Sequence, residues 1–201
     1  MIFLCHNYSH EKNHILFLEA ISYVLKNSSK PIRAIIVGDG QMRKKLEEKA
    51  RHLGIPYTTS TEDKHPYSLI FTSWRSDVDV INAGLDIVAL TSFNEGTPVS
   101  LIEAQAAQKP IVSTRVGGIQ DVVIENVTAL LSDIHDKQSF FENLYRLVED
   151  ADLRRQFSEH GKEHVIKRYS YQRLIKDMSG LYNNLLQQKK YSFSAVQATS
   201  Y

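Results

Sequence analysis

Short apolar runs alternate with helical periods along most of the chain. Six runs read as strands: Ile2–Cys5, Arg33–Val37, Leu69–Thr72, Asp86–Leu90, Pro110–Ser113 and Thr128–Leu131. Most are apolar at successive positions, which is the pattern of strands covered on both faces. Between them, periods near 3.6 predict helices over Glu11–Lys26, Gln41–Leu53, Val78–Ala83 and Pro98–Ala107. Ile15, Leu18, Ile21 and Leu25 form one stripe of the first; Met42, Leu46, Ala50 and Leu53 form one of the second, which Gly54 stops. Strands separated by helices need crossover connections and therefore a parallel sheet. The expected fold class is α/β, a doubly wound parallel sheet of about six strands. After Leu131 the strands stop, and helices are expected over His135–Glu149, Ala151–Arg168 and Tyr171–Gln188. The chain thus reads as one domain over 1–187, including a helical extension over 135–187, followed by a flexible tail over 188–201.

Composition narrows the function. The chain has 201 residues, with 24 Lys and Arg against 23 Asp and Glu, for a formal charge of +1. That balance excludes a broad electrostatic grip on nucleic acid, so any anion must meet a local site. With 42% hydrophobic and 23% charged residues the chain is ordinary globular material. The single Cys5 forms no internal disulfide and is expected in the core. No run approaches the ~18 uncharged apolar residues of a membrane span, and the first residues lack the basic and apolar regions of a signal peptide. The expected location is the cytoplasm, at most the periphery of the inner membrane face, with no transmembrane segment.

In open α/β sheets ligands meet the loops that leave the carboxyl ends of the strands. After Val37, Gly38-Asp39-Gly40 opens a helix; Arg43 stands where a dinucleotide fingerprint needs a third glycine, and a tight turn explains both glycines equally. After Leu90, Thr97 is expected as N-cap and Pro98 at the first helical position, leaving the amides of Val99 and Ser100 bare for a diphosphate. Glu103 follows one turn on, in a helix otherwise largely apolar. By spacing alone it is either a buried carboxylate bound by ribose hydroxyls or a solvated or ion-paired side chain. After Ser113, Gly117 and Gly118 permit close approach of a ligand. Lys12 is expected in the first turn of its helix, where a cation opposes the helix dipole, so that it turns either to water or to an anion.

Asn94-Glu95-Gly96-Thr97-Pro98-Val99-Ser100-Leu101-Ile102-Glu103-Ala104 resembles the Glu-x7-Glu motif of the retaining family 4 glycosyltransferases, glycosyl transferases group 1, which adopt the GT-B fold. Val37-Gly38-Asp39-Gly40, Trp74-Arg75-Ser76-Asp77-Val78, Thr114-Arg115-Val116-Gly117-Gly118 and Glu11-Lys12-Asn13-His14 stand in that family's order and at about its spacing. The resemblance covers residues 2 to 187 and implies a Rossmann-like, nucleotide-sugar-binding C-terminal half of a GT-B enzyme. It implies Glu95 and Lys12 as catalytic residues, Glu95 on hydroxyls of the donor sugar and Lys12 on the leaving phosphate. It implies Glu103 on the nucleotide ribose and Gly96, Thr97, Pro98, Val99 and Ser100 around the sugar and diphosphate. Gly38, Gly40, Arg75, Gly117 and Gly118 complete the implied substrate contacts. The implied partners are a nucleotide-sugar donor, UDP- or GDP-linked, and a glycan or lipid-linked acceptor, as in polysaccharide biosynthesis. No cofactor and no metal are expected, since a cation and a helix N-terminus take the metal's place.

Two departures bear on activity. The family's Arg ahead of the Lys is replaced by Asn7; a lost charge-assisted contact is worth about 1.5–3 kcal/mol. Such enzymes have two domains, so the acceptor domain is expected on an N-terminal segment or a separate chain. The last helix, in the family, crosses back onto that half, exposing Leu174, Met178 and Leu181 to recruit a partner. The alternative is a catalytically inactive nucleotide-sugar-binding or interaction module. Three other patterns are weighed and set aside. Asp77-Val78-Asp79 reads as a helix start with Asp77 as N-cap rather than a metal site, and His6, His10, His14, His160 and His164 read as surface residues. Trp74 reads as core in preference to a platform for a base.

Overall fold

The structure is a computed structural model describing residues 2–5, 8–60, 65 and 67–198. The strands are β1 Ile2–Cys5, β2 Ala34–Val37, β3 Tyr57–Thr58, β4 Leu69–Phe71, β5 Ile87–Leu90, β6 Ile111–Thr114 and β7 Ala129–Ser132. They form one sheet in the order β3-β4-β2-β1-β5-β6-β7, parallel throughout. All six expected strands are present, displaced by at most one residue at either end. The seventh, β3, has two residues at the sheet edge, too few to show a period.

The helices are α1 His14–Asn27, α2 Arg43–His52, α3 Val78–Ala83, α4 Val99–Ala106, α5 Ile119–Val122, α6 Lys137–Glu149, α7 Ala151–Tyr169 and α8 Tyr171–Ala198. The chain divides into two compact units, residues 1–164 and 165–201. In the first, α1 packs against α2 and α6, and α6 covers β5, β6 and β7. Leu16, Phe17, Leu18 and Ile21 of α1 meet Phe140, Leu144 and Leu147 of α6 in one core with Ile36, Phe71 and Ile87. Glu19 fastens this helical layer: its carboxylate accepts Lys49 Nζ of α2 at 2.7 Å and Lys137 Nζ of α6 at 2.9 Å. In the second unit, α8 exposes Leu174, Met178, Leu181 and Leu185. Its helical backbone continues to Ala198, ten residues past the expected end at Gln188, so the expected tail is helical over that stretch.

Four other local expectations are corrected. Lys12 lies not in α1 but in a preceding 3-10 turn, His10–Lys12; Asn13 at φ 47° breaks the path and α1 starts at His14. Pro98, not Thr97, is the N-cap of α4, with extended backbone at φ −74° and ψ 96°. Asp77 caps nothing with its side chain, because Arg75 takes it. His14 is buried rather than on the surface, its ring edge-on to Tyr8 at 5.2 Å.

The loops at the carboxyl edge are tied to one another. Tyr8 N–H donates to Asp39 O at 2.9 Å, and Arg43 Nη1 donates to Thr72 O at 2.9 Å, joining the ends of β1, β2 and β4. Thr91 Oγ1 donates to Lys12 O at 2.9 Å, and Phe93 N–H to Glu11 O at 2.7 Å, joining β5 to β1. The glycine pair after β6 closes the series. Gly118 N–H donates to Glu95 O at 3.0 Å. A Cβ at Gly117, whose φ is +50°, would stand 1.9 Å from Glu95 O, and one at Gly118 would stand 2.1 Å from Gly96 O. These glycines are therefore needed for backbone-on-backbone contact with the loop that carries Glu95.

Gly118→Ala is accordingly expected to destabilise the fold by about 1–3 kcal/mol, measured by denaturant unfolding. A second prediction concerns acid. Burial opposes ionisation of Glu19, but the hydrogen bonds from Lys49 and Lys137 outweigh it and hold its carboxyl below the usual 4.5. A lowered folded-state pKa contributes stability above 4.5 that is lost as the pH falls below it. Glu19→Gln should therefore lower stability at neutral pH, and its deficit against the parent should shrink as unfolding is repeated at pH values descending below 4.5.

Candidate functional site

The strand order reverses at β1: β2 and β4 lie on one side, β5 and β6 on the other. A doubly wound sheet opens a crevice at such a switch point, beyond the carboxyl ends of the strands. The loops flanking it are those leaving β1 and β5, and each delivers one charged side chain. Lys12 Nζ and Glu95 Oε1 are 2.7 Å apart, with side-chain exposures of 22% and 10%. Eighty-three residues of chain separate them, so the fold alone makes the pair.

Three hydroxyl side chains support this pair. Ser92 Oγ donates to the same Glu95 Oε1 at 2.6 Å, Thr114 Oγ1 donates to Ser92 O at 2.7 Å, and Thr91 holds Lys12 O. All three are fully buried. None of them is among the expected site residues: Thr91 and Ser92 directly follow the expected strand and have no spacing of their own. His10 stacks on Phe93 at 5.4 Å beside them, over a cavity of about 140 Å³ lined by His10, Asn13, His14, Met42 and Phe93.

From Glu95 the chain runs through exposed Gly96 and Thr97 and buried Pro98 into α4. Val99 opens that helix and is exposed; a first-position amide has no carbonyl one turn back to bond. Ser100 is half-buried behind it. The positive end of the α4 dipole thus borders the Lys12–Glu95 pair. Of the two readings left open for Glu103, the structure takes the solvated one: it is exposed on α4. The inward positions are Leu101, Ala104 and Gln105, and the buried polar side chain of this helix is Gln105, whose Nε2 donates to Val122 O at 3.1 Å.

The remaining expected residues lie on neighbouring loops of the same edge. Gly38 and Gly40, at φ 131° and 154°, carry the turn after β2. Arg43 follows, bridging Asp39 at 3.2 Å and Glu47 at 3.0 Å. Burial lowers its pKa, yet the hydrogen bond it donates to Glu47 and the charges around it raise it overall. Arg75 follows β4 and is paired with Asp77, each holding the other in its charged form by hydrogen bonding. Trp74 beside it is 66% exposed, correcting its expected place in the core. Arg115, ahead of the glycine pair, makes a two-pronged ion pair with Glu125 that lowers the glutamate's pKa. Asn7 lies outside the described residues, as does the side chain of Cys5. Among the described residues no three His, Cys, Asp or Glu side chains gather as a metal site, and no helix is long and apolar enough to cross a membrane.

Comparison with known proteins gives the family. A D-inositol 3-phosphate glycosyltransferase of Corynebacterium urealyticum is 32% identical over 177 residues, 86% of this chain and 40% of that protein. The crystallised C-terminal domain of a glycosyl transferase group 1 family protein, LpcC, from Francisella tularensis superposes with a TM-score of 0.71 at 21% identity, over 85% of both chains. Anabaena HepE in complex with UDP superposes at 0.74 with 21% identity, over 89% of this chain and 48% of that one. The chain spans less than half the length of the curated relatives it matches. Residues 1–164 match the family model described as Glycosyl transferases group 1, a stretch that ends where the first compact unit ends; the chain belongs to this family and has the fold of its C-terminal GT-B domain.

Proposed function

We propose that this chain is the donor-binding half of a retaining, family 4 type glycosyltransferase that takes a nucleoside-diphosphate sugar. The observation that carries the reading is the meeting of Lys12 and Glu95 at the switch point, beside the N-terminus of α4. Transfer breaks the bond between the anomeric carbon and the diphosphate, and the leaving group departs with growing negative charge. Lys12 supplies one full charge there, and the α4 terminus about half a charge, with no metal required. Such fixed donors stabilise the departing anion because they need no reorientation as charge develops. Glu95 accepts hydrogen bonds from the sugar hydroxyls, and Glu103, exposed on α4, is open to ribose hydroxyls. Arg75 and Trp74, both exposed on the loop after β4, offer a cation and an aromatic face to the nucleotide. The UDP in the complex of similarly folded HepE supports a uridine nucleotide. The acceptor, a glycan or lipid-linked sugar, is taken by a separate acceptor domain.

A second reading, a nucleotide-sugar-binding module without turnover, is favoured by Asn7, which leaves Lys12 without the second cation of the family pattern. Saturation-transfer NMR with UDP- and GDP-sugars tests the donor site that both readings share. Binding is expected, and Lys12→Ala and Glu103→Ala are each expected to weaken it about ten- to a hundredfold, the worth of one charge-assisted contact. Unchanged affinity in both variants would remove the assignment. Release of free UDP from a bound UDP-sugar, followed by chromatography, separates turnover from binding alone.

A further inference from the structure

Glu95 Oε1 accepts two donors, and their surroundings differ. Lys12 Nζ, at 2.7 Å, sits on a side chain that retains 22% exposure and ends at the crevice. Ser92 Oγ, at 2.6 Å, is fully buried. Its carbonyl is clamped by Thr114 Oγ1 at 2.7 Å, and the next residue, Phe93, is bonded through its N–H to Glu11 O at 2.7 Å. Lysine is free to turn to another anion, but the serine is fixed from both sides. Among the described residues no side chain donates to Glu95 Oε2.

We propose that Ser92 is a positioning residue that keeps the Glu95 carboxylate aimed at the sugar when a diphosphate draws Lys12 away. This rests on the donor-site reading above. An ammonium shared between Glu95 and a diphosphate is pulled toward the greater negative charge, and a glutamate released from it would otherwise turn about three side-chain bonds. Ser92 holds Oε1 throughout, so Oε2 remains the acceptor presented to a hydroxyl. The serine touches neither ligand nor reacting atoms. Its effect falls on the sugar, through Glu95, and leaves the nucleotide alone.

Calorimetric titration of the whole chain with UDP and with UDP-glucose tests this. In Ser92→Ala the affinity for UDP-glucose relative to UDP is expected to fall about tenfold, the cost of one hydrogen bond to a charged group. Ser92→Cys, nearly the same size but a weak donor, should reproduce that shift with an unchanged melting temperature. Equal weakening of both ligands, or no change in their ratio, overturns the role of Ser92 while leaving the donor site standing. A parent protein that binds neither ligand overturns the donor-site reading and this inference together.

Discussion

A carboxylate that is nine-tenths covered is costly unless its charge is matched, and Glu95 meets that condition through Lys12 and Ser92. The geometry of the whole carboxyl edge follows from keeping these three groups together. Lys12 is held through its carbonyl by Thr91, Glu11 through its carbonyl by Phe93, and the Glu95 carbonyl by the amide of Gly118. Each tie crosses from one strand's loop to the next. The parallel sheet sets the distance between these loops, and the switch point leaves room for a ligand between two of them. Lys12 and Glu95 stand on short loops, but those loops are fixed by backbone bonds to their neighbours.

The glycine pair shows how far local sequence reading reaches. Two glycines after a strand announce a close approach, and one is indeed required here. What approaches is the backbone of Glu95 and Gly96, and no spacing within Thr114–Asp121 reveals that. The same limit applies to Lys12 and Glu95. Periodicity places Lys12 at the start of a helix and Glu95 on a loop, yet their union depends on β1 and β5 being neighbours; only the family resemblance, which is a record of folds already known, put them in one site. Strand positions were legible nearly to the residue because covered parallel strands are continuous apolar runs bounded by turns. Edge strand β3 and the four-residue α5 are too short to leave such a record.

Glu103 was left open, and Trp74 misjudged, for the opposite reason. A helix rich in alanine and leucine looks buried all round, but α4 turns only Leu101, Ala104 and Gln105 inward. A charged residue among apolar neighbours then sits on the open face at no desolvation cost. Trp74 lies on a loop rather than in an element, so no period constrains it. Both residues are on the surface, where a ligand can reach them. Exposure of a large aromatic or of an unpaired acid beside a crevice is the more informative arrangement, since burial would have needed no ligand to explain it.

Charge balance at this edge constrains how an anion can bind. Lys12 faces Glu95, Arg43 faces Asp39 and Glu47, Arg75 faces Asp77, and Arg115 faces Glu125. With a formal charge of +1 on the whole chain, no surplus field draws a diphosphate in, so binding is an exchange of partners. The exposed Arg75–Asp77 pair is weak, as surface pairs are, and yields easily. The Lys12–Glu95 pair is more covered and lies between that and the roughly 3–5 kcal/mol lost when a buried pair is broken. On the donor-site reading, a bare diphosphate takes Lys12 and leaves Glu95 with Ser92 as its one remaining donor among the described residues. A diphosphate joined to a sugar takes Lys12 and gives Glu95 hydroxyl donors in return. The pairing therefore favours the conjugate over the free nucleotide before any further contact is counted, and it weakens the hold on the nucleotide once the sugar has gone.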